Sequence, residues 1–247
     1  MVNIDTVYQR VLAFANKEQR GYITPQEFNL FANQAQMEIF EQYFYDLNQV
    51  QRIPGNNTIY ADVDDILEQK IQIFEDTDLF IVINGYDQGA QNPFVKEIPD
   101  WIYRVNAIYS GVQGKLVNCE ILNTKDFKAA NGGTGLTKPN AMRPIANIRN
   151  NLLSCSDGGE NMQGFFIPEE IVYIRQPQPV AWGYFVVGNK ALYDPSGAKT
   201  MNFELHQSEE TELVYKILKF AGVAMKRDDI ANAGKGLETS QITQEKQ

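Results

Sequence analysis

The segment from Thr24 to about Gln49 constrains the fold of this chain more than any other stretch. Thr24 can cap a helix, Pro25 suits the first helical position, and Glu27 completes a Thr-x-x-Glu capping box. No later glycine or proline interrupts the segment. The sequence therefore predicts one helix of about 26 residues, roughly 39 Å long at about 1.5 Å per residue.

The apolar side chains of this helix cover more of its surface than one partner could bury. They lie on two adjoining lines, one formed by Phe28, Phe31, Ala32, Ala35, Ile39 and Tyr43 and the other by Met37, Phe40, Phe44 and Leu47. An ordinary surface helix has an apolar arc of roughly 100°, and this arc is far wider. We expect the chain's own domain to cover one side and another subunit to cover the other. The expected interface residues are Phe28, Phe31, Ile39, Phe40, Tyr43, Phe44 and Leu47.

The rest of the pattern predicts an α+β fold in four parts. Residues 1–78 form a helical region in which a first helix, Asn3–Lys17, pairs with the long helix as an antiparallel hairpin or bundle. Residues 79–207 form a β-rich domain with long loops. Residues 208–235 carry an amphipathic helix that packs back on the helical region, and residues 236–247 form a flexible tail.

The β-rich middle is predicted from short runs of strand-forming residues between polar turns. The strand candidates are Leu79–Ile83, Trp101–Tyr109, Leu116–Leu122, Ile145–Leu153, Gly164–Ile167, Glu170–Arg175, Ala181–Val187 and Asn202–Leu205.

Charge and composition exclude several classes of protein. The net charge of −9 disfavours a protein that grips nucleic acid by its phosphates, although it suits a surface past which nucleic acid slides. Two cysteines are too few for a disulfide framework or a four-cysteine zinc site. With neither a secretory leader nor an apolar run of about 20 residues, we expect no membrane contact and a chain made in a cytoplasm.

Three motifs resemble functional sites but fit them poorly. Asn16–Phe28 has three residues at EF-hand positions, but Arg20 at a ligand position and Pro25 within the loop oppose calcium binding. Gly132–Lys138 lacks the Gly-Lys-Ser/Thr ending of a phosphate-binding loop. His206 is the single histidine and has no nucleophile motif around it. We therefore expect no catalytic, cofactor-binding or metal site, and a part of an assembly rather than an enzyme.

Two segments carry a resemblance to a known family. Thr6–Phe44, and the strand Asn202–Leu205 followed by the segment Ser208–Ile230, resemble virion structural proteins of short-tailed bacteriophages, most of all those of crAss-like phages. The resemblance implies an adaptor of the head–tail connector, assembled as a closed ring, expected to be a dodecamer, around a DNA channel. It implies as partners its own copies, the portal protein, neighbouring tail ring proteins and genomic DNA that passes without specific binding. The implied location is the virion, after synthesis in the host bacterium.

Other functions stay open at this point. A tail tube or nozzle protein and a fibre-attachment ring are the alternatives within a virion. A phage cell-wall hydrolase and a calcium-binding module are more remote alternatives, because the sequence lacks the clustered residues that either would need.

Overall fold

The computed structural model describes residues 1–15, 23–52, 58–79, 95–112, 115–133, 138–158, 165–166, 168–188, 190–195, 199–224 and 228–245. The last two residues of the helix predicted at Asn3–Lys17 and most of the strand predicted at Leu79–Ile83 lie outside these residues. The fold is α+β, as predicted. The chain forms two compact units: Met1–Ile73 with Pro177–Gln247, here called the helical unit, and Phe74–Gln176, here called the β unit.

The helical unit contains the longer helices of the chain. In order they are α1 (Ile4–Ala15), α2 (Pro25–Arg52), α3 (Thr58–Gln72), α5 (Glu210–Ala224) and α6 (Asp228–Glu245), and the short helix α4 (Thr124–Gly132) belongs to the β unit. None of the described helices is both long and apolar enough to cross a membrane.

The start of α2 confirms the predicted capping box. The backbone N–H of Glu27 donates to Thr24 Oγ1 at 3.3 Å, and the backbone N–H of Thr24 donates to Glu27 Oε2 at 2.9 Å. The backbone N–H and the hydroxyl of Thr24 both donate to Glu27 Oε2, at 2.9 and 2.8 Å, and these two bonds hold the pKa of Glu27 below its ordinary value. Because capping is a contact between near neighbours in sequence, it could be predicted without knowledge of the fold.

Helix α5 is the central element of the helical unit, in contact with α1, α2 and α6. Leu213, Val214, Ile217 and Ala221 recur at helical spacing and are buried. These residues therefore form the side of α5 that packs against the other helices.

The chain after α5 differs from the prediction. The sequence indicated a flexible tail over residues 236–247, but α6 extends to Glu245. Few apolar residues mark this helix, and it is held instead by a close approach to α5. A Cβ on Gly234 would lie 2.9 Å from the backbone nitrogen of Lys219, so only glycine allows this approach.

One sheet of the β unit has four strands in the order β1-β9-β3-β4. They are β1 (Glu75–Leu79), β9 (Glu170–Arg175), β3 (Ile102–Val112) and β4 (Lys115–Asn118). Every pairing in it is antiparallel, and the β3–β9 ladder has two irregularities of register.

The second sheet has the order β2-β7-β6-β5, with β8 also paired to β7. Its strands are β2 (Val95–Glu97), β5 (Glu120–Ile121), β6 (Ile145–Arg149), β7 (Leu152–Ser156) and β8 (Phe165–Phe166). The single strand predicted over Ile145–Leu153 is wrong, because Asn150 and Asn151 both have positive φ (51° and 59°) and turn the chain between β6 and β7. Asparagine is among the residues that tolerate this left-handed conformation in two-residue turns.

A shared core joins the sheets of the β unit. Buried side chains from both sheets meet in one cluster, formed by Ile98, Ile108, Cys119, Ala146, Leu153, Cys155, Ile171 and Tyr173. Burial raises the pKa of the Cys119 thiol to about 12 and also raises the pKa of Cys155. Both cysteines are therefore inert core residues.

The two units divide the chain at other positions than the predicted boundaries of 79 and 207. Residues 177–207 belong to the helical unit, although they were predicted with the β-rich domain. They include the two-stranded hairpin β10 (Tyr184–Val187) and β11 (Lys190–Tyr193). Side chains of α2 hydrogen-bond to the backbone of Gln178, Val180 and Trp182 in this segment. These partners are far away in sequence, so strand-forming residues alone do not indicate the contacts.

Candidate protein-interaction surface

The structure buries most of the predicted interface on α2 within the single chain. Of the seven predicted residues, Phe28, Ile39, Phe40 and Tyr43 are at most 4% exposed, and Phe31, Phe44 and Leu47 are half-buried. Among the α2 residues whose side chains the structure describes, the strongly exposed apolar ones are Leu30 and Tyr45, and both lie outside the predicted set. The chain itself therefore covers the apolar arc of α2 from several sides. This corrects the expectation that another subunit is needed to cover one side of the helix.

A row of amide side chains on α2 provides one of these covers. Asn29, Asn33 and Gln36 follow each other at intervals of four and three residues, so they share one face of the helix. Asn33 Oδ1 accepts from the backbone N–H of Val180 at 2.8 Å, and Asn33 Nδ2 donates to the Val180 carbonyl at 2.9 Å. These two bonds pair the main chain of Val180 as a neighbouring strand would.

The other two amides repeat the pattern on alternate residues of the same extended segment. The backbone N–H of Trp182 donates to Asn29 Oδ1 at 2.8 Å. Gln36 Nε2 donates to the Gln178 carbonyl at 2.8 Å, and its Oε1 accepts from the backbone N–H of Glu204 at 3.2 Å. The sequence analysis missed this role because the partners are about 150 residues away. The one signal in the sequence that could have indicated this role was the helical spacing of three amides beside the apolar residues of α2.

Charged side chains also lie within the helical unit. Lys216 Nζ on α5 lies 2.8 Å from Glu238 Oε1 on α6, 3.4 Å from Glu212 Oε1 and 3.9 Å from Glu38 Oε2 on α2. Burial by itself lowers the pKa of Lys216, but the hydrogen bond to Glu238 and the three carboxylate charges raise it above its ordinary value. These pairs connect α6 to the core helices.

Glu238 has the opposite balance. Burial by itself raises the pKa of Glu238, but hydrogen bonds from Lys216 and Lys219 lower it below its ordinary value. Both partners are therefore charged at neutral pH, and their role is structural.

Trp182 anchors the base of the β10–β11 hairpin in the helical core. Its indole is 3% exposed, its Nε1 donates to Asp5 Oδ1 at 2.9 Å, and its ring lies 4.2 Å from that of Tyr8. Tyr184 and Tyr193, the paired first and last residues of the hairpin, stack on Trp182 at 5.9 and 5.7 Å. The base of the hairpin is thus fixed by aromatic packing.

The rest of this hairpin exposes apolar side chains to solvent. Phe185 is 47% exposed, Val186 65%, Val187 56% and Leu192 44%. The register pairs Phe185 with Leu192, so these two and Val187 lie on one face. Within the described part of the chain, β10 and β11 pair only with each other. A two-stranded hairpin is marginal in water, so these features mark a surface suited to protein contact.

The described residues offer little for chemistry. They contain no group of three or more His, Cys, Asp or Glu side chains that could hold a metal ion. His206 Nδ1 lies 2.9 Å from Ser208 Oγ and accepts from the backbone N–H of Ser208, which caps the short helix Gln207–Glu209. Glu27, which stands at the twelfth position of the EF-hand-like segment Asn16–Phe28, accepts hydrogen bonds from Thr24 in the capping box.

Comparisons with known proteins do not assign the chain to a family. No protein-family model matches it, and no curated protein matches it significantly.

Proposed function

We propose that this chain is a structural, non-enzymatic subunit of a bacteriophage virion. In this proposal it is an adaptor of the head–tail connector that forms a closed ring, a dodecamer, beneath the portal protein. The N-terminal helices form an antiparallel hairpin, with the C-terminal amphipathic helix packed on it. The single observation that carries the proposal is the exposed apolar hairpin β10–β11, and the resemblance of Thr6–Phe44 to phage virion proteins gives the class.

Energetics favour a covered hairpin. Full burial of a large apolar side chain contributes about 1.5–3 kcal/mol, so covering four half-exposed ones contributes roughly 4 kcal/mol. That value corresponds to a dissociation constant of roughly 1 mM before the costs of association. The hairpin therefore contributes to an interface without creating a stable one alone. This suits a ring subunit, in which several weak contacts close together.

The charge of the chain is consistent with a DNA channel. At −9 overall, the chain repels the phosphate backbone and lacks the excess of basic residues that would hold it. Genomic DNA in this proposal passes through the ring without specific binding. The remaining partners are the portal protein and the neighbouring tail ring proteins.

Analysis of purified virions tests this function. Mass spectrometry of particles from the phage that encodes this chain should detect it in a fixed stoichiometry to the portal protein. A cryo-electron map of the particle should place it as a ring next to the portal. A ring lower in the tail would instead indicate a tail tube, nozzle or fibre-attachment protein. Absence from virions would refute a virion role altogether.

A further inference from the structure

The four-stranded sheet of the β unit has two edge strands, β1 and β4. Within the residues that the structure describes, β1 pairs only with β9, and β4 pairs only with β3. The side chains on both edges are open to solvent: Glu75, Asp76 and Thr77 on β1 and Lys115, Leu116 and Asn118 on β4 are exposed. An open edge presents backbone donors and acceptors that another strand can pair with.

Strand direction makes these two edges complementary. Because the sheet has four strands and all its pairings are antiparallel, β1 and β4 run in opposite directions. A second copy placed beside the first in the same orientation would bring its β1 against β4. The new pair would be antiparallel and would continue the sheet without a change of pattern.

Charge favours the same arrangement. β1 has the sequence Glu-Asp-Thr-Asp-Leu, and β4 has Lys-Leu-Val-Asn. Two β1 strands would place carboxylates opposite carboxylates, which is destabilising, whereas β4 offers Lys115 and an exposed Leu116. The acidic side chains of β1 therefore disfavour a symmetric dimer in which two β1 strands pair, and they favour pairing of β1 with β4.

We infer that β1 of one copy pairs with β4 of a second copy, so that the sheets of successive copies join edge to edge. This contact is head-to-tail, because it joins two different surfaces, and repeated head-to-tail contacts close into rings when the rotation permits. The inference rests on the proposed ring and supplies the interface that the hairpin alone is too small to provide.

In the free chain, one donor of the β1 edge is shielded by its own side chain. The backbone N–H of Thr77 donates to Asp76 Oδ1 at 2.9 Å. A charged side chain on an edge is a known protection against uncontrolled pairing. Pairing with β4 replaces this local bond by a strand contact.

Cysteine cross-linking of the full chain tests the pairing. In a centred register Thr77 of one copy lies opposite Leu116 of the next, within reach of a disulfide. In the same copy the two positions are three strand spacings apart, roughly 14 Å at about 4.8 Å each, which no disulfide spans. The native Cys119 and Cys155 are buried and do not compete.

The oxidised double variant Thr77→Cys/Leu116→Cys should give covalent species of three and more copies, and each single variant should stay uncross-linked. A covalent dimer from Leu116→Cys alone would overturn the inference in favour of a symmetric β4 contact. An uncross-linked double variant that still assembles would refute this interface but leave the proposed ring standing. A wild-type chain that is monomeric and absent from virions would refute the proposed function itself.

A charge variant provides a second readout that does not depend on register. Lys115→Glu should weaken self-association by roughly two- to fivefold, the effect of one exposed ion pair, and Lys115→Arg should leave it unchanged. Equal association constants for the two variants would contradict the role of Lys115.

Discussion

The row of amides on α2 makes a quantitative prediction about the helical unit. Replacing Asn33 by alanine removes the partners of both the N–H and the carbonyl of Val180, a residue that is 2% exposed. Each buried backbone group left without a partner costs about 1–3 kcal/mol. We therefore expect Asn33→Ala to lower the free energy of unfolding of this unit by about 2–6 kcal/mol.

Asn48→Ala is a matched control on the same helix. Asn48 Nδ2 donates to the Phe44 carbonyl at 2.8 Å, but this side chain is exposed, so water replaces the lost bond. Both changes remove the same atoms and gain the same helix propensity, which cancels in the comparison. The control should change stability by less than about 0.5 kcal/mol.

Urea unfolding followed by circular dichroism measures both variants, and hydrogen exchange at the Val180 amide reports the local effect. A cost of about 2 kcal/mol corresponds to a loss of about 4–8 °C in Tm for a chain of this size. Asn33→Leu, which keeps most of the volume, should remain destabilised if the hydrogen bonds are responsible. Equal costs for Asn33→Ala and Asn48→Ala would refute the claim that α2 acts as a strand partner.

Three further predictions concern other parts of the chain. Glu238→Gln should loosen α6 and give faster hydrogen exchange in Asp228–Glu245, because Lys216 loses its closest carboxylate. The wild-type chain should show the same faster exchange as the pH falls through the lowered pKa of Glu238. The stability from Glu238 is fully present above the pKa of an unfolded glutamate and is lost as the pH falls through the lower, folded pKa. Unchanged exchange in acid would contradict this pairing. Cys119 and Cys155 should not react with a thiol reagent at pH 8 until the β unit unfolds, and rapid labelling of the native chain would contradict their burial. Phe185→Ser with Leu192→Ser should leave the Tm within about 2 °C, since both side chains are half exposed, but weaken self-association at least tenfold. Unchanged association would remove the hairpin from the interface.

Local signals in the sequence were sufficient for some elements. The start of α2 follows from capping and the strand Glu170–Arg175 from a run of strand-forming residues, and the structure confirms both. The apolar residues at helical spacing in α5 are buried. Each of these signals involves residues that are close in sequence. The α+β class follows from the same local patterns.

Contacts between distant residues explain what the sequence did not reveal. Nothing local indicates that residues 178–182 bind to amides on α2, so this segment was predicted with the β-rich domain. Helix α6 has no apolar stripe that could be recognised in the sequence, since Gly234 and the ion pairs of Glu238 connect it to α5 instead. The predicted interface on α2 rested on the width of its apolar arc, and width alone does not distinguish cover by the same chain from cover by another copy.

Native mass spectrometry of the purified full-length chain, over a range of concentrations, tests the central proposal most directly. The account predicts a discrete closed species, with twelve copies expected, that is lost in the Phe185→Ser/Leu192→Ser variant. A wild-type chain that remains a monomer at the highest concentrations would contradict it.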